Sequence, residues 1–258
     1  MNSFAAEHQL ILGKTERELS ASFEIGCLHA LLNLYKNRKY TVTPENLKEN
    51  SYRYLTTPSG NPTNFSYVTL KGSDGDFEVR QQVRIASHVD PDIQFTPDIV
   101  VIVKGAPISG VISASYANGK RALFSVKSEL VVAAHECKSM NPFPELMVSF
   151  IGMLVTAHKW HPNGTGIQAD PKGHLAPTLF VGGTARALHL DMIKAMQTAY
   201  NLNIVVGMHS GTWSLKAASN GFRWLGGAMH APAGVPLAQS TVTLASNLSS
   251  ATSVAASV

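Results

Sequence analysis

Five consecutive β-branched residues, Ile99-Val100-Val101-Ile102-Val103, follow the dipeptide Pro97-Asp98. A strand with water on one side alternates apolar and polar residues. A strand apolar at every position is one covered on both faces, as in sheets flanked by helices. The chain has 258 residues, enough for a single α/β domain whose core needs no staples.

The surrounding periodicities supply the other elements. Residues 15–37 read as a long helix, with Leu19, Phe23, Cys27, Ala30, Leu31 and Leu34 on one face. Thr15 and Glu18 have the spacing of a capping box. Residues 38–63, with Pro44, Pro58, Gly60 and Pro62, read as loop with room for a short helix near Pro44–Lys48. Strand-like runs follow at Phe65–Leu70 and Phe77–Ile85. Ile108–Tyr116 and Arg121–Val126 flank Asn118-Gly119, a strong hairpin signal. Leu130–Lys138 is a further strand, and Pro144–His158 is apolar nearly all round, as in a buried helix. Residues 161–177 are a Gly- and Pro-rich loop, Thr178–Val181 a strand, Ala185–Tyr200 an amphipathic helix and Ile204–Gly207 a strand. The order predicts an α/β fold, a mixed β-sheet flanked by helices.

Composition removes several classes of protein. At 45% hydrophobic and 15% charged residues, the chain is too apolar to be disordered throughout. Its longest apolar run, Leu146–Ala157, is interrupted by Ser149, Gly152 and Thr156 and falls short of the roughly 20 residues a bilayer demands, so no membrane partner is expected. The first residues lack the basic-then-apolar pattern of a secretory signal. Two cysteines, Cys27 and Cys137, sit in no metal or disulfide spacing, which fits a reducing, cytoplasmic setting. A net charge of +4 permits a polyanionic partner without requiring one. Residues 239–258 carry no charge and are rich in Ser, Thr, Ala and Val, a low-complexity tail.

Chemistry concentrates in Pro97-Asp98 and Glu136-Cys137-Lys138. Two apart on a strand, Glu136 and Lys138 point to one face, together with the small Val132 and Ala134. If the strand after Asp98 pairs with Leu130–Lys138, Asp98 and Glu136 converge. Two carboxylates beside an ammonium suit a hard, oxygen-seeking cation such as Mg²⁺, with Mn²⁺ as the alternative. Such an ion activates a bound water and offsets charge on a phosphate, and Lys138 would position that water or stabilise the developing charge. Glu24 lies between Leu28 and Leu31 on the helical wheel. A carboxylate there needs a partner, either this site or solvent at the helix edge.

Pro-Asp opening an apolar strand, Glu-x-Lys ending another, and a helix after it resemble the PD-(D/E)xK nuclease superfamily, with its restriction-endonuclease-like fold. The resemblance spans roughly residues 15–207. It implies catalytic roles for Glu24, Asp98, Glu136 and Lys138, and metal ligation by Asp98, Glu136, Glu24 and the backbone carbonyl of Cys137. It implies a nuclease-like domain over residues 1–235 that hydrolyses DNA, or less often RNA, with Mg²⁺. A place in defence or DNA processing, beside an NTPase or helicase partner, follows by analogy. Oligomeric state is open, a homodimer included. One departure is the 38-residue separation of Asp98 from Glu136, which the Asn118-Gly119 hairpin would fill as an insertion.

Plainer readings accompany each residue. Glu136 and Lys138 could be a surface ion pair on an edge strand, and Asp98 a turn residue. His135-x-Cys137 could join a zinc site, and Asp170-Pro171-Lys172 repeats the carboxylate-x-Lys pattern in a loop. Lys172, His174, Lys216 and Arg223 with Trp213 and Trp224 could form a basic, aromatic surface for nucleic acid, or be ordinary surface and core. Rival functions are a non-catalytic nucleic-acid-binding or scaffold subunit, and a hydrolase of small phosphate esters.

Overall fold

The computed structural model describes residues 16–111, 122–158, 174–210 and 222–225. Helix α1 (Glu16–Asn37) buries Phe23, Cys27, Ala30, Leu31 and Leu34, as its period predicts. Leu19, expected on the same face, is instead 62% exposed because the apolar stripe is covered only from about Phe23 onward. The expected capping box of Thr15 with Glu18 lies outside the described residues.

The strands are β1 (Thr41–Glu45), β2 (Tyr67–Gly72), β3 (Gly75–Gln81), β4 (Arg84–Ala86), β5 (Gln94–Phe95), β6 (Ile99–Val103), β7 (Ser109–Val111), β8 (Leu123–Lys127), β9 (Val131–Lys138), β10 (Thr178–Val181) and β11 (Asn203–Val205). Helices α2 (Pro144–His158) and α3 (Ala187–Ala199) lie on either side of β10 in sequence. Seven strands form the main sheet in the order β1-β2-β3-β6-β9-β10-β11. Pairing is antiparallel from β1 to β9 and parallel from β9 to β11. The molecule is thus α/β with mixed sheets flanked by helices.

Three departures from the sequence reading have local causes. The stretch containing Pro44 is a strand, not loop or helix. It lies at the sheet edge, where a residue without an N–H is tolerated. Phe77–Ile85 is two strands, because Gln82 adopts φ +53° and turns the chain out of the main sheet. Helix α2 is not buried all round: Leu146, Met147, Phe150 and Leu154 face the core, while Val148 and Val155 are exposed.

A smaller sheet, β5-β4-β8-β7, receives the chain after Gln82. The β7–β8 pair, Ser109 opposite Ser125, is the body of the expected hairpin, and its Asn118-Gly119 turn lies outside the described residues. The long interval between Asp98 and Glu136 is therefore spent in the smaller sheet, leaving β6 and β9 free to pair directly. Ile99, Val100, Val101 and Ile102 are all 0% exposed, as in a strand covered on both faces, whereas Val103 at the strand's end is 37% exposed.

Candidate active site

The site begins with backbone pairing. Ile99 is opposite His135 in the antiparallel β6–β9 ladder, so the next pair outward is Asp98 and Glu136. A register shift beyond Val101 falls at the far end of the ladder and leaves this pair untouched. The Asp98 carboxylate accepts the Cys137 N–H at 2.7 Å through Oδ2, so Asp98 is fixed by the opposite strand.

Lys138 completes the cluster. Its Nζ lies 2.6 Å from Glu136 Oε1 and 3.4 Å from Asp98 Oδ2. Strand β9 is flanked by β6 and β10, so these residues are not an ion pair on an edge strand. Val132 and Ala134 are buried. Asp98 is buried, not a solvated turn residue. Glu24, from α1, is buried as well, so a solvated helix edge does not describe it.

A residue that the sequence did not single out joins them. Gln82 donates from Nε2 to Asp98 Oδ1 at 2.8 Å and to Glu24 Oε2 at 3.2 Å. Its backbone N–H also binds the Asp98 carbonyl at 3.1 Å. Two adjacent amides interrupting a strand-like run were the only signal in the sequence. Neither marks the left-handed backbone that aims Gln82 at the acids.

The electrostatics follow from crowding three carboxyls away from water. Burial, and next the charge of Asp98, push Glu24 up to about 8, with the Gln82 amide and Lys138 opposing. The same two causes push Glu136 up to about 7. Burial alone would lower Lys138, but Glu136 and Asp98 outweigh it and hold the ammonium above its ordinary range. Glu24 and Glu136 therefore hold protons near neutrality. Glu136 Oε2 is buried without a hydrogen-bond partner. Such an orphaned carboxylate oxygen calls for a cation or a proton.

Cys137 turns its thiol to the opposite face, where it meets Cys27 of α1. His135 is fully buried, its two ring nitrogens are without hydrogen-bond partners, and burial lowers it to about 3, so it is neutral. Among the described residues no three His, Cys, Asp or Glu side chains gather as a metal centre, which removes the zinc reading there and leaves Glu24 outside a shared ligand set with Asp98 and Glu136. It does not remove Mg²⁺, which typically takes one or two carboxylates and keeps several waters. Asp98 and Glu136 are such a pair, and Glu136 Oε2 is without a hydrogen-bond partner.

The proposed basic, aromatic surface does not form from its described members. His174 is fully buried, hydrogen-bonded to the Tyr35 hydroxyl at 3.0 Å and set edge-on to Phe77. Burial lowers it to about 4. Arg223 is buried, and its backbone N–H donates to Asn203 Oδ1. Trp224 carries Arg38 over its ring at 3.9 Å. Asp170, Lys172, Trp213, Lys216 and the 239–258 tail lie outside the described residues.

No family model matches this chain, and comparison with curated proteins and with solved structures finds no match. Among the described residues, no helix is long and apolar enough to cross a membrane.

Proposed function

We infer that the chain is a divalent-metal-dependent nuclease of the PD-(D/E)xK type, cleaving phosphodiester bonds of DNA or, less often among such enzymes, RNA. One observation carries the reading. Asp98 and Glu136 are locked opposite each other by the β6–β9 ladder, and Lys138 reaches both. The order of helix, antiparallel meander, helix and parallel strand supports a restriction-endonuclease-like fold.

Asp98 and Glu136 would hold Mg²⁺ or Mn²⁺, with Glu24 linked to Asp98 through Gln82. The Cys137 carbonyl is a ligand by resemblance alone. The ion, when bound, polarises the scissile phosphate and acidifies a water. Lys138 keeps its proton and presents a compact positive charge where negative charge develops on phosphate oxygen. Its distance from Glu136 also lets it orient the attacking water. Glu24 and Glu136 lose the protons they hold near neutrality when a cation replaces them.

A substrate panel tests the reading. Plasmid, single-stranded DNA, RNA and a small phosphodiester are incubated with Mg²⁺, with Mn²⁺ and with chelator. The proposal expects DNA cleavage that chelator abolishes. Turnover of the small ester alone would assign the site to small-molecule chemistry, and binding of DNA without turnover would assign it to a scaffold.

A further inference from the structure

A cleft of about 280 Å³ opens beside the site, with Glu136 and Lys138 at one wall. The rest of its lining is Phe95 and Thr96, at the step from β5 to β6, and Leu146, Ser149, Phe150 and Met153 of α2. The cleft is therefore a slot between a helix and strand ends, polar at Glu136 and Lys138 and mainly apolar beyond. Neither the metal nor the attacking water needs that apolar extension. Its size falls just under the roughly 300–1,000 Å³ that holds a drug-sized ligand.

We propose that this slot receives one unpaired nucleobase adjacent to the scissile phosphate, so that the substrate is a DNA strand that is single-stranded or unpaired there. This rests on the nuclease reading above. The phosphate belongs at the Lys138 end, where the ammonium and a bound cation supply positive charge. The neighbouring base then lies against the partly exposed Phe95 and Met153, with the buried Phe150 beneath. Base faces gain from contact with aromatic side chains whatever their sequence. The thioether of Met153 adapts to rings of different size. Both walls are protein, so a base enters only after leaving its stack and its pairing partner. Thr96 and Ser149 offer hydroxyls that both donate and accept, which does not select among bases. The slot thus discriminates pairing state rather than sequence.

The test uses the full chain with Ca²⁺ in place of Mg²⁺, so that binding is read without cleavage. Short DNA strands carry 2-aminopurine, whose fluorescence rises when it leaves a base stack, at successive positions. Wild type should bind single strands at least about tenfold tighter than the matching duplex, within the range of losing one base–aromatic contact, and should brighten the probe at one position. Phe95→Ala should weaken single-strand binding about tenfold by the same contact, and Phe95→Tyr, which keeps the ring, should restore it. Met153→Trp should fill the slot and abolish the fluorescence rise while the Ca²⁺ isotherm stays unchanged. If Phe95→Ala does not fold, Met153→Trp alone decides. Equal affinity for duplex and single strand with the probe still stacked would overturn the proposal, as would wild-type binding by Met153→Trp. Cleavage with Mg²⁺ of a strand whose base stays stacked would overturn the slot and spare the nuclease reading. A base that unstacks on a protein that never cleaves would do the reverse.

Discussion

Lys138 and Gln82 relieve the same repulsion by different means. Three carboxyls converge, and without a metal one ammonium and one amide stand between them. Lys138 contributes charge, which in the proposed reaction would also offset charge developing on the phosphate. Lys138→Ala is expected to lower turnover by about 10²–10³-fold, the range for losing one transition-state stabiliser. Metal affinity should fall little or rise, since a competing cation is gone. Lys138→Arg keeps the charge but not the compact ammonium and should also be slow. Turnover at saturating Mg²⁺ beside a metal-binding isotherm checks all three outcomes. Gln82 contributes only hydrogen bonds, so Gln82→Leu should weaken Mg²⁺ binding with little effect on turnover once metal saturates. A Gln82→Leu protein with an unchanged isotherm would show that Glu24 and Asp98 need no positioning.

Elements were legible where one force dominates. The β6 run is apolar at every position, and only a strand covered on both faces satisfies it. Ile102 is fully buried in that strand, so Ile102→Ala should cost about 2–5 kcal/mol. Leu19→Ala, at an exposed position, should change stability by no more than about 0.5 kcal/mol. Denaturant midpoints for the two variants check both figures. Glu136 and Lys138 could be singled out because strand alternation puts them on one face, and Asp98 because Pro97-Asp98 opens the apolar β6 run. Glu24 was legible only as an acid out of place on its helix, and the partner that explains it comes from another element. Gln82 was hidden because its role depends on one backbone angle, φ +53°, within what reads as an unbroken strand. Pro44 misled because proline breaks helices and inner strands but not an edge strand. His174 and Arg223 misled because local sequence does not reveal that distant rings and amides enclose them.

At the scale of the whole molecule, the acid cluster ties stability, pH and metal together. Glu136 and Glu24 are raised to about 7 and about 8 from an ordinary value of 4.5. A carboxyl raised on folding stabilises the fold fully below its unfolded value, and that contribution is lost as pH rises through the folded value. The buried neutral His135 and His174 act in the opposite sense, adding stability as pH rises toward their ordinary value of 6.5, so the metal-free protein should lose thermal stability between about pH 6.5 and pH 8. Mg²⁺ should restore it most at the alkaline end, because binding favours the deprotonated acids and releases protons. Melting temperatures across that range, with and without Mg²⁺, check the sign. Glu24→Gln should flatten part of the metal-free slope. A melting temperature that rises between about pH 6.5 and pH 8 in chelator would contradict the buried-acid account.

The central claim is that the carboxylate pair set by the β6–β9 ladder performs metal-dependent phosphodiester cleavage. Its most direct test is DNA cleavage by wild type and by Glu136→Gln, with Mg²⁺ and with chelator, after matched melting curves establish that both are folded. The account predicts cleavage by wild type with Mg²⁺ alone, and none above background by a folded Glu136→Gln under either condition. Cleavage by Glu136→Gln at the wild-type rate, or cleavage by wild type undiminished in chelator, would contradict it.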